Sequence, residues 1–203
     1  MEKTPGRSGF NRRAFLKGSS AAAAATALAT APDVAVAQPK GLAVLAGPTT
    51  ITLAVNGKDH KVKVEPRTTL LEVLRYQLDL TGAKPVSGDG SSGASTVLID
   101  GKPMMASTLL AVAVRGKKIE TVEGRGGEKT PDAVQKAFVQ HDAQQCGFCT
   151  PGFVVATRAF IDKHPKASEA DIRGGLNGNI CRCGTYANVI QAAIALAKGG
   201  DNG

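Results

Sequence analysis

Four cysteines are the residues best suited to chemistry in this chain, and they come as two tight pairs. Cys146-x2-Cys149 is followed, after 31 residues, by Cys181-x-Cys183. Disulfides are the plain alternative for an exported chain, but a bridge between Cys181 and Cys183 would be strained. Both pairs sit in glycine-bearing segments, QCGFCTPG and NICRCGTY. Such segments let backbone N–H groups point at sulfur and favour the thiolate. Four thiolates converging from two loops suit zinc or an iron–sulfur cluster. A thioredoxin-type redox pair fits less well, because Cys146-x2-Cys149 follows a helix and has a second pair beside it. The second candidate is PVSGDGSSGASTVLID, residues 85–100, where Ser87, Ser92 and Ser95 are spaced S-x4-S-x2-S. It reads either as a serine–glycine turn or as a cofactor loop without its ligands.

Two sets of elements must position these residues. In TITLAVNGKDHKVKVE, Ile51, Leu53 and Val55 alternate, Asn56-Gly57 makes a turn, and Val62 and Val64 alternate on the return, which predicts a β-hairpin. Thr68 or Thr69 caps a short helix carrying Leu70, Leu71, Val73, Leu74 and Leu78. Strands follow at Val97–Ile99, after the Asp100-Gly101 turn, and over Ile119–Val122. From residue 131 the apolar period becomes helical. One helix starts near Pro131 with Val134, Phe138 and Val139 along one side, and a second runs through PGFVVATRAFIDKH to Pro165. A third opens on Ser168 and Asp171 in capping-box spacing, and a fourth, YANVIQAAIALAKGG, ends in glycines. The expected fold class is α+β: a strand-rich module over 50–124, then a four-helix module over 125–203.

The formal charge of +8 suggests nucleic acid only until the N-terminus is set aside. Beyond residue 37 the chain has 20 basic against 15 acidic side chains, no Trp and few aromatics. Stacking platforms for single strands are therefore poorly supplied, and nucleic acid is not an expected partner. Residues 1–37 read as a twin-arginine signal: Arg12-Arg13, Phe15-Leu16-Lys17, a mildly apolar run, then Ala35-Val36-Ala37 as a cleavage site. The apolar run is shorter than the ~20 residues of a stable membrane span. Residues 38–49, with Pro39, Gly41, Gly47 and Pro48, form a linker. The expected location is the periplasm.

QCGFCTPG through GNICRCGTYANVIQA resembles the helical domain of the iron–sulfur subunit of molybdenum hydroxylases, the family of xanthine dehydrogenase and aldehyde oxidoreductase. The resemblance implies a plant-ferredoxin-like β-grasp domain with one 2Fe–2S cluster, then a four-helix domain with another. It assigns Cys146, Cys149, Cys181 and Cys183 as ligands of the helical-domain cluster. It also places Gln145 and Cys183 against the molybdopterin of a large partner subunit. That partner hydroxylates an aldehyde or N-heterocycle, and electrons leave through the clusters to FAD or another acceptor, such as a cytochrome, on a further subunit.

The family's first domain carries C-x4-C-x2-C and one more cysteine about a dozen residues on, the plant-type spacing. Here the glycine frame persists while the four ligand positions read Ser87, Ser92, Ser95 and Ser107. Decay would scatter different residues over four sites, whereas uniform serine is the pattern of deliberate isosteric substitution. A hydroxyl is far less acidic than a thiol, so four serines are not expected to hold iron. One cluster per chain is the expectation. The competing function classes are an exported zinc protein using the four cysteines, and a disulfide-linked protein with no redox role. His60, His141 and His164 fit no ligand pattern.

Overall fold

The computed structural model describes residues 45–126 and 130–199. Residues 1–44, which take in the expected signal and most of the expected linker, residues 127–129 and the last four residues lie outside them. Leu45–Gly203 form one compact unit.

The hairpin forms as its alternation predicts. β1 (Thr49–Val55) and β2 (Lys58–Val64) pair antiparallel, with Asn56 and Gly57 both at positive φ in the turn. Ile51, Leu53, Val55, Val62 and Val64 face the core. Helix α1 (Leu70–Tyr76) is capped by Thr69, whose hydroxyl accepts from the Glu72 N–H while Glu72 reaches back to the Thr69 N–H. It buries Leu70, Leu71, Val73 and Leu74. After the serine-bearing loop come β3 (Thr96–Ile99), β4 (Lys102–Met105) and β5 (Lys118–Glu120). The sheet order is β2-β1-β5-β3-β4, with β5 parallel to β1 and the other pairings antiparallel. β4 is an edge strand and mostly exposed.

The strand expected over Ile119–Val122 stops at Glu120, and Val122–Gly124 turn as a 3-10 helix. The cause is local competition for Thr121. Its N–H donates to Asn56 Oδ1 (2.9 Å) and its hydroxyl to Glu123 Oε2 (2.5 Å), which takes it out of the ladder.

Four further helices build a second apolar core: α2 (Ala133–Gln140), α3 (Thr150–Lys163), α4 (Glu169–Gly175) and α5 (Tyr186–Ala197). Val134, Phe138, Phe153, Ile172, Val189 and Ile190 are among its buried side chains. The capping box expected at Ser168 and Asp171 is present. A second box, Asp132 with Gln135, starts α2. Val139 is 75% exposed, contrary to expectation. The buried stripe of α2 is Val134, Ala137 and Phe138, and Val139 lies five residues after Val134, off that stripe. A third small core joins the layers, with Leu98 of β3 packed on Val155 and Ala159 of α3. Among the described residues no helix is long and apolar enough to cross a membrane.

Candidate metal centre

The two cysteine pairs meet where two helices begin. Cys149 is the N-cap of α3, with Pro151 in the first turn, and Cys181 and Cys183 lie just before α5, whose N-cap is Thr185. A helix N-terminus favours the thiolate by its dipole and its free N–H groups. All four cysteines are free. Across the loops, Cys146 and Cys183 influence each other's ionisation, as do Cys149 and Cys181. The Cys146 and Cys183 pair is exposed, while Cys181 is buried and Cys149 half-buried.

The environment sets the four thiols apart. The Phe148 N–H, then the Cys183 thiol, lower the pKa of Cys146. Cys183 is raised, chiefly because its thiol donates to Cys146. Burial first, then the Cys181 sulfur, push Cys149 up to about 12. Burial also opposes ionisation of Cys181, but the Thr185 hydroxyl and N–H, the Cys149 thiol and the Gly184 N–H outweigh it and bring Cys181 down to about 7.

Among the described residues no three His, Cys, Asp or Glu side chains gather closely enough to enclose a single metal ion. A structural zinc site closes four ligands about one ion, and no such closed group is present among the described residues. A 2Fe–2S cluster takes four cysteine thiolates, two to each iron, and this donor set fits it. Gln145 is exposed beside Cys146, and Phe148 and Ile180 leave 53% and 52% of their surface open near the exposed pair.

The segment before Cys181 is held by contacts the sequence did not reveal. Tyr186 Oη accepts from the Cys181 N–H (3.0 Å) and donates to the Asn179 carbonyl (2.9 Å). Its ring packs edge-on against Phe153, with centroids 5.6 Å apart. Tyr186 thus has a polar role as well as a packing one. Thr185 Oγ1 lies 3.1 Å from Cys181 Sγ. Buried Asn179 donates from Nδ2 to the Gly93 carbonyl (2.9 Å). The signal was the unbroken run NICRCGTY, in which Asn179, Thr185 and Tyr186 surround the cysteines.

The four serines also come together, but on one another. Ser87 Oγ lies 2.8 Å from Ser92 Oγ, and Ser95 Oγ lies 2.9 Å from Ser107 Oγ. The N–H groups of Ser92, Ala94 and Ser107 donate inward to Ser87, Ser92 and Ser95 Oγ respectively. The loop of Ser87, Ser92 and Ser95 meets Ser107, which lies beyond β4, through the Ser95 pair, and these hydroxyls are satisfied without a metal. Neutral hydroxyls paired in this way do not fit a plant-type 2Fe–2S cluster, which is held by four thiolates.

A [2Fe-2S] binding domain family, Fer2_2, matches residues 121–194. The nicotinate dehydrogenase of Pseudomonas putida has a subunit 40% identical over 150 residues, which cover 74% of this chain and 96% of that one. The chain belongs to the small iron–sulfur subunits of the molybdenum hydroxylases. This iron–sulfur subunit is also 41% identical over 164 residues to the aldehyde oxidoreductase iron-sulfur-binding subunit PaoA of Escherichia coli K12, covering 73% of this chain and 71% of PaoA. Among solved structures, it superposes on quinoline 2-oxidoreductase from Pseudomonas putida 86 with a TM-score of 0.72 at 39% identity, covering 75% of this chain and 96% of that chain. The aldehyde oxidoreductase of Desulfovibrio desulfuricans gives a TM-score of 0.70 at 40% identity, over 73% of this chain and 17% of that much longer one. The α+β fold of the iron–sulfur subunit is that of these relatives.

Proposed function

We propose that this iron–sulfur subunit carries electrons within an exported, periplasmic molybdenum hydroxylase that oxidises an aldehyde or an N-heterocycle. The molybdopterin belongs to a large partner subunit, and the electrons pass to FAD or a cytochrome on another subunit. A 2Fe–2S cluster supplies one-electron oxidation and reduction at the cysteine centre. Cys146, Cys149, Cys181 and Cys183 hold it, with the exposed Cys146 and Cys183 side, and Gln145 beside it, turned to the pterin. The β-grasp module before it works without a cluster, because Ser87, Ser92, Ser95 and Ser107 offer no thiolates.

One observation carries this reading: four free cysteines at two helix starts, each start supplying one exposed cysteine and one that is buried or half-buried. Iron–sulfur names among the relatives support it, and the signal pattern at Arg12-Arg13 supports export. The test is the visible and EPR spectrum of the anaerobically purified chain, with partners that co-purify identified by mass. A coloured protein with one type of reduced 2Fe–2S signal is expected. A colourless protein containing zinc, or four thiols locked in disulfides, refutes the proposal. In the assembled enzyme, substrate should reduce molybdenum while turnover with a FAD-linked acceptor stays low compared with a form bearing cysteine at all four serine positions.

A further inference from the structure

We propose that the Thr185 hydroxyl sets the reduction potential of the cysteine centre by donating a hydrogen bond to the sulfur of Cys181. This rests on the reading of the four cysteines as 2Fe–2S ligands. The geometry is specific. Thr185 Oγ1 is 3.1 Å from Sγ of Cys181, the one of the four cysteines that is buried as a residue. Cys181 is fixed from behind by Tyr186, which takes its N–H, and Tyr186 is fixed in turn by the Asn179 carbonyl and the Phe153 ring. The Cys181 N–H is therefore spent on a phenol oxygen and is not available to a ligand sulfur. Beside the Thr185 and Gly184 N–H groups, the Thr185 hydroxyl is the side-chain donor at this sulfur once Cys149 is itself a thiolate.

The direction of the effect follows from charge. A ligating Cys181 is a thiolate and has no proton to give, so Thr185 is the donor. Its hydroxyl dipole presents the positive end to sulfur. Reduction adds one negative charge to the centre, and a donor aimed at sulfur stabilises the more negative state, which raises the potential. Burial reduces screening by water and strengthens the effect. Thr185 is a positioning and tuning residue that acts through Cys181 and touches no substrate.

The experiment is potentiometric titration of the cluster's EPR signal in the purified holoprotein, comparing wild type with T185V and T185S. Valine keeps the shape and drops the donor, and serine keeps the donor. T185V is expected to shift the reduced-to-oxidised ratio at a fixed potential about tenfold toward oxidised, ~59 mV lower for a one-electron couple. T185S should stay at the wild-type value. A T185V cluster with unchanged potential overturns the proposal, as does a T185S shift equal to that of T185V. A second measurement needs no variant: resonance Raman of the wild type in H2O and D2O. An iron–sulfur stretch that shifts on exchange is expected from a hydroxyl donor on sulfur, and its shift should vanish in T185V. No exchange-sensitive stretch in the wild type overturns the proposal, and so does one that persists unchanged in T185V. Absence of any 2Fe–2S signal in the wild type would instead refute the functional reading beneath it.

Discussion

Replacing four serines together, S87C/S92C/S95C/S107C, is expected to turn the loop into a second 2Fe–2S site. The hydroxyls already stand in two pairs, 2.8 and 2.9 Å apart, so sulfurs at these positions would be brought together in the same two pairs. Three backbone N–H groups point inward and would meet sulfur in place of oxygen, which favours the thiolate. Before iron binds, the substitution has a cost. Two neutral hydroxyl pairs, at about 1 kcal/mol each, give way to weakly bonding thiols. The iron-free variant should therefore lose about 2 kcal/mol, a large part of the roughly 5–15 kcal/mol that a domain has. Iron binding offsets this loss, because metal affinity adds to folding free energy. The assay is anaerobic reconstitution of both proteins, with iron and labile sulfide measured per chain, EPR after reduction, and thermal melts with and without chelator. The parent should carry one cluster's iron and the variant twice that, with two distinct reduced signals. The reasoning fails if the variant folds with parental circular dichroism yet takes up one cluster, or if the parent already carries two.

In the iron-free chain at pH 8, mass spectrometry should find Cys146 alkylated first, since it is exposed and its pKa is lowered, and Cys149 last, since burial holds it protonated to about 12. Raising the pH should speed the reaction of Cys149 long after that of Cys146 has levelled off. Gly93→Ala should lower the urea midpoint by the equivalent of about 1–3 kcal/mol. Gly93 has φ +67°, and a Cβ there would run into the Gly178 carbonyl and the Asn179 amide. Tyr186→Phe leaves the Cys181 N–H and the Asn179 carbonyl without their partner. It should cost about 1–3 kcal/mol in chemical denaturation and hasten iron loss to a chelator.

What the sequence made legible was what lies close along the chain. The Asn56-Gly57 hairpin, the Thr69 cap and the Ser168–Asp171 box are each decided within a few residues, so their signals survive without tertiary knowledge. The cysteine spacing was legible for the same reason, since each pair spans a single turn of backbone. The end of β5 was not, because Thr121 is claimed by Asn56, which lies 65 residues earlier. Val139 was misplaced because an apolar residue next to a buried stripe is indistinguishable by type from one within it. Asn179 gave no sign of its partner, the Gly93 carbonyl, 86 residues away.

That contact alters what the retained glycines mean. A glycine in such a frame permits close approach of backbone. In the structure Gly93 makes its close approach to Gly178 and Asn179, and a Cβ on Gly152 in the first turn of α3 would strike the Gly93 carbonyl. The Ser92 carbonyl also accepts from the Ile180 N–H (3.0 Å), one residue before Cys181. The serine loop is thus a buttress for the segment that presents Cys181, and substitution at Gly93 would disturb the cysteine centre whether or not the loop ever held metal. Docking alone accounts for keeping Gly93 and Gly152. The tie between this loop and a ferredoxin site therefore rests on the spacing of Ser87, Ser92, Ser95 and Ser107, and on their contacts in two pairs.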